Sequence, residues 1–345
     1  MGERTGILAG GNWIVDHVKL IDAWPAQDAL VSIRSQSSSN GGSPYNILVD
    51  LAQMGAAFPL AAVGLVGEDA NGRAILNDCR ARGIDVSQLR TTAAAPTSYT
   101  DVMTVEATGR RTFFHQRGAN AHLDGEHFDF SATNARFFHL GYLLLLDRLD
   151  QLEGGTTRAC DVLRRARAAG LRTSVDCVSE DSGRFGALVL PALPQVDVLF
   201  VNDFEAERLT GIALRQAGVL QPSAVRAATE RLLAAGVQAW VVLHVPEGVY
   251  ARGPGSDGLW QPALRLPTER IAGAVGAGDA LAAGVLYGLH EDWPMIDALR
   301  LGVAVAAASL TDATCSRGVR PVRECLALVE TFGFQRTPGF NDTSP

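Results

Sequence analysis

A single carboxylate, Asp279, stands directly after the turn Gly276-Ala277-Gly278 and heads the run Ala280-Leu281-Ala282-Ala283-Gly284-Val285-Leu286. The pattern is that of a glycine-rich turn opening a helix. Small residues in a row let backbone N–H groups approach an anion closely, and a helix start adds unpaired donors and the positive end of a dipole. Many such turns only pack a helix on a strand, but packing gives the aspartate no role. It would repel a bound anion, yet it is well placed to take a proton from a hydroxyl that attacks one. The chemistry expected here is phosphoryl transfer to an alcohol.

Three other segments place polar groups where ligands could bind. In Gly41-Gly42-Ser43-Pro44-Tyr45-Asn46, Ser43 suits an N-cap and Pro44 a first helical turn, so the segment is at least a well-made helix start. Its paired glycines also permit close approach of a ligand, and Asn46 could hydrogen-bond a sugar hydroxyl. Asn202-Asp203-Phe204-Glu205 follows the apolar run 198–201, and ligands of open α/β sheets sit beyond the carboxyl ends of strands. Asn202 and Glu205 could hold a hydrated Mg²⁺ or close a capping box, and the two readings are compatible. In Gly10-Gly11-Asn12-Trp13-Ile14-Val15-Asp16, Asp16 is either a grip for vicinal hydroxyls or a turn residue. The histidines show no H-E-x-x-H zinc spacing, and there is no Gly-x-Ser-x-Gly elbow.

The elements that must position these groups alternate along the chain. Buried strands are expected at 6–9, 60–64, 135–140, 172–176, 196–201 and 239–244. Helices are expected at 44–54, 72–82, 156–169, 204–209, 223–235, 277–289, 295–310 and 322–332, with Gly55, Gly83, Gly170 and Gly236 as left-handed caps. This is the pattern of a mostly parallel sheet with helices on both faces. Segments 13–34 and 97–116 alternate in β fashion without a following helix and predict a small antiparallel sheet acting as a lid. The expected organisation is a main α/β domain of residues 1–12, 41–96 and 118–336, a β lid of 13–40 and 97–117, and a frayed tail of 337–345.

Composition narrows the class. A chain of 345 residues with 47% hydrophobic and 19% charged content can bury a large core. A net charge of −7 argues against a general nucleic-acid binder. Lys19 is the only lysine and precedes Leu20, so no Walker A loop exists. The five cysteines have no C-x-x-C pair, which points to reduced thiols and a cytoplasmic protein. The first residues lack a signal peptide's apolar region, and the longest apolar run, 140–146, is too short to span a bilayer.

Taken together and in this order, the four segments resemble the ribokinase/PfkB family of carbohydrate kinases, over nearly the whole chain. Gly276-Ala277-Gly278-Asp279 is similar to the family's second signature and Gly41-Gly42 with Asn46 to its first. Residues Val63-Gly64-Leu65-Val66-Gly67-Glu68-Asp69 resemble its G-x-V-G-x-D stretch, and Asn202 to Glu205 its N-x-x-E. The resemblance implies a three-layer α/β/α sandwich with a small antiparallel β lid, which closes over the sugar and pairs two subunits into a homodimer. It implies ATP and Mg²⁺ as cofactors and a small sugar as substrate. Asp279 would be the base, the amides of Gly276, Ala277 and Gly278 the anion hole, and Asn202 and Glu205 the organisers of Mg²⁺ and the nucleotide phosphates. Asp16, Gly41, Gly42 and Asn46 would bind sugar hydroxyls.

The chain departs from the family at several places. Gly273-Ala274-Val275 replaces D-T-T, whose aspartate supports a monovalent cation, so the resemblance does not carry K⁺ activation over. Of T-x-G-x-x-G near the nucleotide only Gly248 survives in Leu243-His244-Val245-Pro246-Glu247-Gly248. Val303 replaces an Asn near the adenine and Gly141 a Glu near the ribose. Arg117, at the end of the second lid stretch, is either a contact for an acidic or phosphorylated sugar or a solvated loop charge. Two alternatives stay open: a nucleoside kinase with a base pocket of Trp13, Trp24 and Phe113, and a sugar-binding or regulatory homologue that transfers little phosphate.

Overall fold

Runs such as Val198-Leu199-Phe200-Val201 and Val241-Val242-Leu243 are apolar on both faces, as strands must be when helices cover both sides. In a computed structural model, which describes residues 3–273, 275–312, 314–336 and 339–340, they lie near one half of a nine-stranded sheet. Its order is Leu259–Pro262, Gly248–Arg252, Trp240–Val245, Val198–Asn202, Arg172–Cys177, Phe137–Leu143, Ile7–Gly11, Leu60–Gly67 and Asp85–Thr92. All pairings are parallel except those of the last hairpin, in which Gly248–Arg252 runs antiparallel to both neighbours. All six expected strands are present, most of them reaching further toward their carboxyl ends. Of the three strands not expected from sequence, Leu259–Pro262 and Asp85–Thr92 are the two edges of the sheet and Gly248–Arg252 lies next to the first; polar residues such as Gln88 and Arg90 break the apolar run of Asp85–Thr92.

Every expected helix forms, within about two residues at each end, as fraying and cap geometry lead one to expect. Gly55, Gly83, Gly170 and Gly236 all have positive φ, as helix-ending glycines should. Helices Ser43–Met54, Ala277–His290 and Met295–Ser309 pack on one face of the sheet, and Arg158–Ala168 and Pro222–Ala234 on the other, each over its own apolar cluster. The Ala277–His290 and Met295–Ser309 helices approach through glycine. A Cβ on Gly284 would stand 2.8 Å from Gly302 Cα, a backbone atom that cannot yield as a side-chain tip would. Gly284→Val is therefore expected to lower stability by about 3 kcal/mol, the upper end of the overpacking range, read as a lower denaturant midpoint.

The second sheet has four strands in the order Ile33–Gly41, Ile14–Ile21, Ser98–Val105 and Arg111–Gln116. Its outer pairings are antiparallel, as expected of the lid, and its central pair, Ile14–Ile21 with Ser98–Val105, is parallel. Lys19 pairs with Asp101 across that central pair. Of the tail, residues 337, 338 and 341–345 lie outside the described residues. Phe340 does not fray: it is buried, stacked on Trp260 at 4.0 Å between ring centroids.

Candidate active site

The site is assembled where the first strand ends. Asn12 N donates to Gly141 O at 2.8 Å, which ties the ends of the Ile7–Gly11 and Phe137–Leu143 strands together. The paired glycines then let a helix start against this point. Gly42 has φ 94°, and a Cβ there would overlap Asn12 O; one on Gly41 would lie 2.5 Å from Asp16 Oδ2. The sequence thus brings Asp16, Gly41, Gly42 and Asn46 into one corner. Asp16 is 9% exposed. Burial pushes its carboxyl up to about 6, and a hydrogen bond with Thr100 partly opposes the shift.

Asp279 comes to the same corner from the opposite side. Gly276, at φ 79°, caps the Ala277–His290 helix without any side-chain cap, and Ala280 N donates to Gly276 O at 2.8 Å. The N–H groups of Ala277, Gly278 and Asp279 therefore precede the first intrahelical bond and have no carbonyl a turn back to pair with. The Asp279 carboxylate is 5% exposed. Asn46 Nδ2 donates to its Oδ2 at 2.7 Å, and the Tyr142 hydroxyl reaches Oδ1 at 2.9 Å and Oδ2 at 2.7 Å. Burial, with repulsion from Asp176 second, pushes Asp279 up to about 7, while Asn46, Tyr142 and His139 pull it down. A carboxyl poised there can be ionised at neutral pH and still accept a proton, which suits a general base.

Several of the groups around Asp279 were not anticipated. Ser43 Oγ donates to Asp176 Oδ2 at 2.8 Å and lies 2.9 Å from His139 Nε2, and His139 Nδ1 is 3.0 Å from Ser174 Oγ. A Cβ on Gly141 would overlap Asp176 Oδ1 and Ser43 Oγ, so glycine there leaves room for this network. Asp279 itself is met by the polar side chains of Asn46 and Tyr142. Sequence offered one usable sign, a carboxylate at the end of the expected strand 172–176. Tyr142 was hidden inside the apolar run 140–146.

The family model described as pfkB family carbohydrate kinase matches residues 11–321. The chain belongs to this family. An ATP-dependent ribose-1-phosphate kinase of Halopiger xanaduensis is 29% identical over 303 residues, covering 87% of this chain and 90% of the relative. A 5-dehydro-2-deoxygluconokinase of Shouchella clausii is 23% identical over 337 residues, 95% of this chain and 97% of the relative. Among solved structures, a ribokinase of Thermotoga maritima superposes with TM-score 0.76 at 19% identity over 94% of this chain and 99% of that one. An Arabidopsis thaliana ribokinase complexed with ribose and ATP superposes with TM-score 0.74 at 19% identity, covering 95% and 99%. The chain is accordingly a sugar or nucleoside kinase of the pfkB group with the ribokinase fold.

Other residues singled out in this pfkB member fare differently. Asn202 and Glu205 form a capping box: Asn202 Oδ1 accepts Glu205 N at 2.9 Å, and Glu205 Oε2 accepts Asn202 N at 3.1 Å. Glu205 Oε1 also accepts Ser179 Oγ at 2.7 Å and Asn202 Nδ2 at 2.9 Å. Glu205 is 4% exposed, and burial pushes it up to about 8. With three protein donors already on this buried carboxylate, a role toward Mg²⁺ would run through water, as expected from the sequence. No metal-holding group of acidic, His or Cys side chains occurs among the described residues.

Gly248 and Val303, expected near the nucleotide, both have packing roles. Gly248 sits in the edge hairpin, where a Cβ would lie 2.5 Å from Gln261 O. Val303 is 4% exposed in the apolar core. Arg117 is engaged within the protein: its guanidinium donates to Leu144 O at 2.9 Å and pairs with Asp147 at 3.1 Å. The base pocket of Trp13, Trp24 and Phe113 is not assembled. Trp13 is fully buried with Nε1 on Val63 O at 3.0 Å, while Trp24 stacks on Phe114 and stays exposed, as does Phe113. Of the segment replacing D-T-T, Ala274 lies outside the described residues.

Proposed function

We propose that this kinase transfers the γ-phosphoryl group of ATP to a primary hydroxyl of a small sugar, with Asp279 as the base. The observation that carries the reading is Asp279 at an uncapped helix start, where free backbone N–H groups and a carboxylate of raised basicity meet. Asp279 would take the proton of the attacking hydroxyl while the amides of Gly276, Ala277 and Gly278 offset charge developing on the phosphoryl oxygens. Asp16, Gly41, Gly42 and Asn46 would hold the sugar. Mg²⁺ would enter with the nucleotide, and Asn202 and Glu205 would reach it through water.

A sugar is favoured over a nucleoside because the three aromatic residues considered for a base pocket are separated. The names of the relatives, which are kinases of ribose-1-phosphate and 5-dehydro-2-deoxygluconate, also support a sugar-derived acceptor. The four-stranded sheet would act as the lid. Its exposed Phe114, on which Trp24 stacks, and Phe113 on the opposite face offer apolar contacts for pairing with the lid of a second copy.

The test is incubation with ATP, Mg²⁺ and a mixed panel of sugars and nucleosides, with products read by mass spectrometry. A single sugar gaining one phosphoryl group is the expected result. Phosphorylation confined to nucleosides would replace the sugar assignment. Sugar binding without product from any acceptor would mark a protein that recognises sugars and no longer phosphorylates them.

A further inference from the structure

Tyr142 touches the proposed base, and the reaction as described gives it no task. Its hydroxyl bridges both oxygens of Asp279, and its backbone N–H is fixed by Asn12 Oδ1 at 3.0 Å. Tyr142 is partly exposed as a residue while Asp279 is nearly closed off, and the phenol hydroxyl lies directly against the carboxylate. An attacking alcohol must place its own O–H against that same carboxylate. Asn46 Nδ2 donates to Oδ2 as well, so the phenol and Asn46 already occupy acceptor sites on both oxygens. The phenol stands on sites that an incoming alcohol would use.

A second observation marks the position as a place for a ligand. Asn12 Nδ2, Asn46 Oδ1 and Asp176 Oδ1 are buried polar atoms without a partner. Asn46 holds Asp279 directly, Asn12 holds Tyr142, and Asp176 shares the Ser43 network beside Gly141. Buried groups in this condition cost stability unless something arrives to pair with them.

We propose that Tyr142 is a latch on the base. With the acceptor absent, its hydroxyl takes the acceptor's place on Asp279 and keeps water from it. When an acceptor hydroxyl enters, it replaces the phenol, one O–H donor for another, so the carboxylate is never left without a donor. The latch rests on the reading of Asp279 as base. Its benefit is selectivity against water: a water molecule on Asp279 would attack ATP as an alcohol does, with its proton passing to the carboxylate and phosphate released.

The test is Tyr142→Phe, which keeps the ring and removes the O–H. ATP hydrolysis measured with no acceptor added is expected to rise roughly tenfold, the scale of one lost hydrogen bond to a charged group. Hydrolysis that stays at the wild-type level or falls overturns the latch. A second readout needs no turnover. Carbon NMR of carboxyl-labelled aspartate follows the Asp279 titration, the resonance being identified by its loss in Asp279→Asn. Removing a donor to the ionised form is expected to raise the midpoint, whereas an unchanged or lower midpoint overturns the contact on which the latch depends. A wild-type protein that phosphorylates no alcohol at all would overturn the kinase reading, and the NMR midpoint would still decide the latch contact.

Discussion

Asp279→Asn is expected to lower turnover on the true sugar by roughly 10²–10⁴-fold, the usual loss on removing a general base. The amide keeps the size of the side chain and can still meet Asn46 and Tyr142, so the loss would report proton transfer, not collapse of the site. Turnover within a few-fold of wild type would remove Asp279 from the role of base. Stability should move the other way. The folded carboxyl is raised to about 7 from an ordinary 3.8, so the folded protein holds this proton more tightly than the unfolded chain. Its contribution is full below the ordinary value and is lost as pH rises through about 7. The asparagine does not titrate, so the melting temperature of Asp279→Asn should gain on wild type between pH 5 and pH 8. Wild-type kcat/KM, in turn, should fall as the solution is made more acidic than about pH 7.

Gly276→Ala is expected to cost roughly 10²–10³-fold in kcat, comparable to losing a donor that stabilises the transition state. Two causes act together. The φ of 79° is a left-handed conformation that alanine adopts at a cost, and the new Cβ would meet Cys315 O at 2.7 Å and Cys315 Cα at 2.9 Å. Both are backbone atoms, so the turn itself must shift, and the amides of Ala277 and Gly278 shift with it. Steady-state kinetics would check this: a variant with wild-type kcat would show that the turn does not position the phosphoryl group. The melting temperature should fall only modestly, because the helix beyond Asp279 remains anchored by its buried face against Met295–Ser309.

Much of the fold was legible because buried strands and amphipathic helices impose different periods on the sequence, and glycines at their ends mark where helices stop. The edge strand Asp85–Thr92 escaped because one side of it faces solvent, which dilutes its apolar signal. In the site, Asp279 and Asn46 could be found because glycine-rich turns advertise them. Tyr142 and Asp176 could not, since each is a lone residue at the end of an apolar strand and gains meaning only when Gly141, Ser43 and Asn12 are folded beside it. Glu205 shows the opposite limit: its spacing from Asn202 fits a capping box and a hydrated metal site equally well, and the folded chain displays the first without deciding the second. Gly248 and Val303 were assigned by position in a pattern, and the folded chain shows their packing alone.

The register of the four-stranded sheet has one more consequence. Ile14 lies opposite both Gly41 and Ser98, and Tyr99 lies opposite Gln116. The four places where the chain passes between the large sheet and the small one are therefore neighbours along a single seam. Trp13 is pinned beside that seam by Asn120, which accepts its N–H and donates to its carbonyl, both at 3.1 Å. The small sheet can be treated as a cassette with its joints side by side, so a chimera carrying the corresponding piece of another pfkB family member needs to match only those joints and the Trp13–Asn120 clasp.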